Sequence, residues 1–240
     1  MQENQEQTVK KEKKKKKQKS VLVKASKNGK HYMWLLNVLR IVAIPFIWLV
    51  RPFRYYGKRK APDGACVYVS NHYTLLDIMY IACTTWESFR IIAKKEVYSQ
   101  FFVGLLARWL RVIVVNRDGT DVRALLDCFK CLKNGEKLAI YPEGTRNKTD
   151  AEMLEFKHGA SVMAIKTKTP IVPMVLYKKP KFFRMAHILV GEPFEFTEYY
   201  DRKLTEADYV EADKKLRDKM LQMRREHTAY LESKKKGKKA

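Results

Sequence analysis

From about residue 62 to residue 232, short apolar runs alternate with stretches of helical period, and that alternation admits few folds besides layered α/β ones. Residues 66–70 (CVYVS), 89–93, 112–116 (VIVVN), 137–141, 171–176 and 188–190 read as strands. Residues 75–83, 101–110 and 159–166 read as helices. So does a stretch capped by Thr120 or Asp121 that stops near Asn134-Gly135. A last capped helix is expected from about residue 205 to 232, with Tyr209, Leu216, Met220 and Met223 forming its packed stripe. There is no internal repeat. The expected fold class is α/β: a largely parallel or mixed central sheet flanked by helices, with an N-terminal hydrophobic membrane-associated helix in front of it.

That front helix comes from residues 31–50 (HYMWLLNVLRIVAIPFIWLV), apolar over most of a length that reaches across a bilayer at about 1.5 Å per residue. Three features oppose a simple span. Arg40 would sit near the hydrocarbon midplane, and Pro45 would kink or break the helix. Both flanks are basic, with a Lys-rich run before and Arg51, Arg54, Lys58, Arg59 and Lys60 after, so charge sets no direction. An in-plane or re-entrant anchor is the preferred reading, with a true span as its alternative. No small-residue cleavage site follows a short apolar core, which argues against a cleaved signal peptide.

The formal net charge is +23 over 240 residues, and more than half of the excess lies in the tails. Residues 1–30 hold eleven Lys and three Glu, and residues 233–240 hold five Lys and no acid. Blocks such as 10–19 and 234–239 repel themselves and are expected to be disordered. Nucleic acid, an anionic membrane surface, or no specific partner would each suit them. The apolar segment beside the first tail favours the membrane, where a Lys gains about 1 kcal/mol near an anionic leaflet. The expected organisation is a disordered tail (1–30), a hydrophobic anchor (31–54), a catalytic domain (55–232) and a basic tail (233–240).

Four cysteines, Cys66, Cys83, Cys128 and Cys131, do not make a disulfide scaffold in a chain of this length. Cys128 and Cys131 match C-x-x-C, but they fall inside an amphipathic helical pattern with Val122, Leu125, Leu126, Phe129 and Leu132. A redox pair normally opens a helix, where its thiolate is stabilised. No second Cys/His pair stands at zinc-site spacing. They are expected to be core cysteines in a reducing compartment.

Two segments carry chemistry. The first, residues 71–77 (NHYTLLD), sets His72 and Asp77 after a strand and at the start of a helix. Five residues do not align two side chains along a helix, so His72 must precede the helix and Asp77 must reach back to it. A carboxylate on one imidazole nitrogen leaves the other as a base near neutral pH. Taken alone, the segment also reads as helix capping by Asn71 and His72 with Asp77 on the surface. The second, residues 141–146 (YPEGTR), is a glycine-containing turn that follows a strand. Arg146 there has the fork that grips a phosphate, and Glu143 can accept from a substrate hydroxyl.

An H-x-x-x-x-D segment followed about seventy residues later by P-E-G-T-R resembles the glycerolipid acyltransferase family, above all its bacterial 1-acyl-sn-glycerol-3-phosphate branch. The resemblance runs from about Val67 to Pro173. It implies transfer of a fatty acyl group from a thioester to the sn-2 hydroxyl of lysophosphatidic acid, giving phosphatidic acid. His72 and Asp77 would be catalytic, and Lys94, Arg117, Glu143, Gly144, Thr145 and Arg146 would bind substrate. Arg117 follows Val114-Val115-Asn116 in a stretch similar to the family's second block, although Asn116 stands where many members carry an acid. Lys94, with Lys95 as its alternative, matches a phosphate-contacting lysine. Lys157 in Phe156-Lys157-His158-Gly159-Ala160 would be an electrostatic helper, and His158 structural. Pro170-Ile171-Val172-Pro173 is similar to the fourth block, or equally is a plain buried strand.

No G-x-S-x-G elbow is present, so the substrate's own oxygen would be the nucleophile. Amides at the start of the helix after His72 are expected to meet the oxyanion. No cofactor and no metal are expected beyond the acyl donor, a coenzyme A thioester or acyl carrier protein. The expected partners are a lysophospholipid acceptor, that donor and an anionic membrane surface, with no nucleic acid. The expected location is the cytoplasmic face of the bacterial inner membrane. The same family with another acceptor, such as glycerol 3-phosphate or a lyso-aminolipid, and a non-catalytic lipid-binding protein are the alternatives.

Overall fold

The computed structural model of the chain describes residues 32–58, 60, 62–84, 89–95, 107, 112–116 and 121–236. The expected Lys-rich tail, nearly all of the expected helix at 101–110, and Arg117 lie outside them. Helix α1 (Tyr32–Val50) is followed by strands β1 (Phe53–Gly57) and β2 (Val67–Ser70). Short α2 (Asp77–Ala82) leads to β3 (Phe89–Lys94), and β4 (Ile113–Val115) precedes α3 (Val122–Lys133). Then come β5 (Lys137–Ile140), α4 (Gly159–Thr167), β6 (Ile171–Leu176), β7 (Ala186–Val190), a 3-10 turn (Thr197–Tyr199) and α5 (Glu206–Lys236).

Among the described residues seven strands form one sheet in the order β1-β7-β6-β2-β5-β3-β4. Strands β6, β2, β5, β3 and β4 are mutually parallel. Strand β7 runs antiparallel to β6, and β1 runs parallel to β7. The sheet is thus the mixed, largely parallel one expected. Five parallel neighbours also release their chains at a single edge, the place where open α/β sheets hold ligands.

Alternate strand residues face opposite sides and build two cores. Val67, Val69, Leu138 and Ile140 pack with Cys128, Ala160, Leu216 and Met220 from α3, α4 and α5. Tyr68, Ala139, Val172 and Met174 pack on the other side with Tyr80 and Ile81 of α2 and with Phe89. Asp121 caps α3 by accepting from the Ala124 amide at 3.1 Å, and Gly135 leaves the helix at φ 76°. Cys128 and Cys131 are buried free thiols, and burial pushes Cys128 up to about 12, which fits the core role.

The first 25 described residues differ most from expectation. Helix α1 continues through Pro45, and no helix among the described residues is long and apolar enough to cross a membrane. Arg40 does not point into lipid. It is 7% exposed, lies over the Phe89 ring at 5.9 Å and donates from Nη1 to Asn37 Oδ1 at 3.0 Å. Asn37, Arg40, Ile44 and Ile47 fall at helical spacing on the inward face, and buried Arg51 continues that line just past the helix. Val38, Ile41, Val42, Phe46, Trp48 and Leu49 face outward, with Phe46 69% and Leu49 67% exposed. Strand β1 begins at Phe53, inside the stretch read as anchor, because its hydrogen-bond partner is β7, more than 130 residues away. At the other end α5 runs to Lys236, so residues 234–236 are helical where a disordered tail was expected.

Candidate active site

Strand β2 ends at Ser70, and the next side chain acts as one more rung of the sheet. Asn71 donates from Nδ2 to the Leu176 carbonyl at 2.9 Å, and its Oδ1 accepts the Leu176 amide at 2.8 Å. Helix capping, the other reading of Asn71, is thereby excluded. The paired amide carries the chain straight off the sheet edge and presents His72 beyond it.

His72 is held at four points. Its Nδ1 donates to Asp77 Oδ2 at 3.2 Å. Its backbone amide donates to Glu143 Oε1 at 2.9 Å, and its carbonyl accepts the Asn147 amide at 2.6 Å. Its ring stacks on Tyr141 with centroids 4.0 Å apart. The two motifs therefore interlock, and Nε2 is the nitrogen left as an acceptor.

Asp77 opens α2 and is wholly buried, so it is not a surface acid. Besides His72 it accepts from the Tyr73 amide at 2.6 Å, the Thr74 amide at 2.7 Å and Thr74 Oγ1 at 2.6 Å. Four donors around this buried carboxylate fix its plane and hold it against the imidazole. Behind it, Arg51 Nη1 donates to Thr74 Oγ1 at 3.3 Å, which links the end of α1 to the dyad. The amides of Tyr73 and Thr74 are consumed here, and the Asp77 amide bonds the Thr74 carbonyl at 3.1 Å. The oxyanion role expected of this turn has thus lost those donors to the carboxylate.

The Glu143 turn follows β5, the neighbour of β2. Glu143 is 2% exposed, and its Oε2 accepts the Leu154 amide at 3.3 Å while Oε1 holds His72. Burial raises its pKa, and the two amides offset part of that rise. The carboxylate faces inward to two backbone amides, so it clamps loops together and is not aimed at a substrate hydroxyl as expected. Arg217 of α5 supports the far loop through the Met153 and Leu154 carbonyls at 2.9 and 3.1 Å. Gly144 adopts φ 65°, and a Cβ there would lie 2.9 Å from Lys157 Cδ. The positive φ is what calls for glycine, since the Lys157 chain end could move aside. The Lys157 side chain accordingly lies across the turn.

Thr145 and Arg146 are exposed, and no acid pairs with Arg146 among the described residues. Lys94 is also exposed and ends β3, the next parallel strand, with Lys95 beside it. Strand β4 runs parallel to β3 and ends two residues before Arg117. Topology thus brings the described site segments, those of His72, Glu143–Arg146 and Lys94, to one sheet edge across the three adjacent strands β2, β5 and β3. Val69 of β2 pairs with Pro173, which puts the Pro170–Pro173 stretch in the sheet interior. His158 bonds Asp213 Oδ2 through Nδ1 at 2.8 Å, joining α4 to α5 in the structural role expected. Tyr141, Asn147, Thr74 and Arg51 support His72 or Asp77 and were not singled out from sequence. Only adjacency to the two motifs signalled the first three. A base flanked by unpaired cations can take a proton from a hydroxyl while an anion on the same molecule is held.

Comparison with known proteins agrees with this chemistry. A family model described as acyltransferase matches residues 52–177. Human 1-acyl-sn-glycerol-3-phosphate acyltransferase beta is 34% identical over 162 residues, covering 60% of this chain and 58% of that protein. The Helicobacter pylori 1-acyl-sn-glycerol-3-phosphate acyltransferase is 37% identical over 122 residues, covering 50% and 52%. The chain thus spans little more than half the length of these relatives. The crystal structure of a 1-acyl-sn-glycerophosphate acyltransferase from Thermotoga maritima superposes with a TM-score of 0.61 at 25% identity, covering 82% of this chain and 86% of that one.

Proposed function

The chain belongs to the acyltransferase family, and on that premise we propose that it moves a fatty acyl group from a thioester to the sn-2 hydroxyl of 1-acyl-sn-glycerol 3-phosphate, forming phosphatidic acid. The observation that carries the reading is the His72–Asp77 pair locked onto the Glu143 turn at the edge of the parallel strands. His72 Nε2 takes the hydroxyl proton as the acceptor oxygen attacks the thioester carbonyl. Asp77 keeps the proton of Nδ1 in place and stabilises the imidazolium that forms. The imidazolium then returns a proton to the departing thiolate, which leaves the base ready again. No covalent enzyme intermediate is required, and much of the rate comes from holding both reactants against the base.

Arg146, Lys94 and Arg117 hold the acceptor phosphate, with Gly144 and Thr145 shaping the approach. Glu143 acts as a positioning residue for His72. The donor is a coenzyme A thioester or acyl carrier protein, with no further cofactor. The protein works at an anionic membrane surface, on the cytoplasmic face of the bacterial inner membrane. Support for attachment comes from the outward apolar face of α1, extended by exposed Phe182 and Phe183, where the Phe183 amide bonds the Val50 carbonyl at 2.8 Å. That arrangement favours an in-plane anchor. Purified protein given labelled acyl donor and a panel of lysophospholipids and glycerol 3-phosphate tests the reading by product mass. Phosphatidic acid from lysophosphatidic acid, absent with His72→Ala, is the expected result. Turnover of only a different acceptor would overturn the substrate assignment.

A further inference from the structure

We propose that a cavity of about 480 Å³, lined by Tyr73 and by the loops after β5 and β6 but not by His72 itself, takes the phosphate end of the pantetheine thioester that donates the acyl group. The proposal rests on the acyl-transfer reading above and adds where the second substrate sits.

Position is the first argument. Strand β2 has two parallel neighbours, and the acceptor cations Lys94 and Arg146 follow β3 and β5 on one flank. Strand β6 lies on the other flank and ends at the same edge. Tyr177, Lys178 and Lys179 follow it directly and line the cavity together with Lys148 of the β5 loop, whereas Lys94 and Arg146 do not. Tyr73 and Asn147 form the wall nearest the base. The Asn147 amide holds the His72 carbonyl at 2.6 Å, so the framework that positions the base also bounds the cavity.

Charge is the second argument. Lys148, Lys178 and Lys179 are exposed and have no ion-pair partner among the described residues. The wall also holds two acids. Glu152 is engaged by Arg224, Nε to Oε1 at 3.4 Å, and Asp150 is the other. Three free cations against one acid make an anion site. The loop that bears Lys148 is fixed. Asn147 donates to the Ala151 carbonyl at 2.7 Å, and Tyr73 Oη donates to the Glu152 carbonyl at 3.2 Å.

Chemistry assigns the ligand. Both substrates carry phosphate, but at different reach from the reacting atoms. The acceptor phosphate is a few bonds from the sn-2 hydroxyl and requires cations beside the base. The donor phosphates stand off from the thioester by a long pantetheine arm and require a second cationic site away from it. Coenzyme A and the prosthetic group of a carrier protein share that phosphate.

The test uses the full chain with Lys148, Lys178 and Lys179 all changed to Ala, assayed with acyl-coenzyme A and, separately, with acyl carrier protein. The donor KM should rise on the order of tenfold in the arm that supplies the natural donor, with kcat and acceptor KM nearly unchanged. Raising salt should lift the wild-type donor KM more than the variant's, since screening removes what the substitutions removed. An acyl-pantetheine lacking phosphate should serve both proteins equally. An unchanged donor KM in both arms, or a rise in acceptor KM instead, overturns the proposal. If the wild type transfers no acyl group at all, the reaction reading fails and calorimetric titration with free coenzyme A decides the cavity alone. Weaker binding by the triple variant then sustains the cavity, and equal binding overturns it.

Discussion

At the scale of single residues, the bonding around Asp77 sharpens what substitution should do. Three of its four donors point at Oδ2, and only Thr74 Oγ1, a hydroxyl that can turn to accept, faces Oδ1. An asparagine with its oxygen in the Oδ2 place keeps the loop but loses the charge. Asp77→Asn should therefore retain the thermal midpoint within a few degrees while activity falls by about 10⁴, the scale seen when an orienting aspartate is neutralised. His72→Ala should abolish turnover with the fold intact. Read by product formation beside a melting curve, a normal rate in His72→Ala would remove His72 as the base, and one in Asp77→Asn would remove Asp77 as its orienting partner. Arg146→Ala should raise acceptor KM at least tenfold and leave donor KM alone, and Arg146→Lys should restore part of that loss. Equal shifts for both substrates would move Arg146 out of the acceptor site.

Glu143 supplies the pH dependence. Burial raises its folded pKa above the ordinary carboxylate value, so the stability it contributes is complete below the unfolded pKa, near 4.3, and declines as pH rises through the folded one. Glu143→Gln removes that dependence and one of the two amide bonds. Urea unfolding between pH 4 and 7 should show wild type losing ground to Glu143→Gln as pH increases. A wild-type advantage that grew with pH would mean that the two amides outweigh burial.

At the scale of elements, α1 has Arg40 inside, with Arg51 just past its end also buried, and its large apolar side chains outside. Arg51 packs over the Phe182 ring at 4.6 Å and donates to Thr74, so the helix end is tied both to an exposed aromatic loop and to the dyad. The two faces should respond differently. Phe46→Ser with Leu49→Ser should cut vesicle binding while leaving the melting midpoint in place, because each apolar side chain moved into lipid is worth about 1.5–3 kcal/mol. Arg51→Ala should do the reverse, costing about 1–3 kcal/mol of stability and lowering kcat through Thr74. Sedimentation with vesicles, run beside urea denaturation, separates them. Loss of both properties in both variants would mean that α1 is ordinary core.

At the scale of the molecule, the proposed attachment would combine two forces of different range. Apolar burial by α1 is almost independent of salt. Attraction of the Lys-rich residues 1–30 to anionic headgroups is screened beyond about 8 Å at physiological ionic strength. Deleting residues 1–20 should leave the protein pelleting with vesicles in high salt and weaken only its preference for anionic lipid. Should that deletion make it salt-extractable, the tail would be the main anchor.

The alternation of strands and helices, the caps of α3, the C-terminal stripe and the His72–Asp77 spacing were all legible along the chain, because each depends on residues within a few turns of one another. The sheet order was not, and neither was β1. An edge strand of five residues has no pattern of its own and exists through pairing with β7. Inward Arg40 was read as an obstacle to a lipid span and Arg51 as part of a basic flank, since nothing local says which face meets protein. Glu143 was given a substrate's hydroxyl for the same reason. Its true partners are the amides of His72 and Leu154, 71 and 11 residues away. Local sequence determined which candidate groups the chain offers, and tertiary contacts between distant segments decided which of them stay open at the sheet edge and which brace the others.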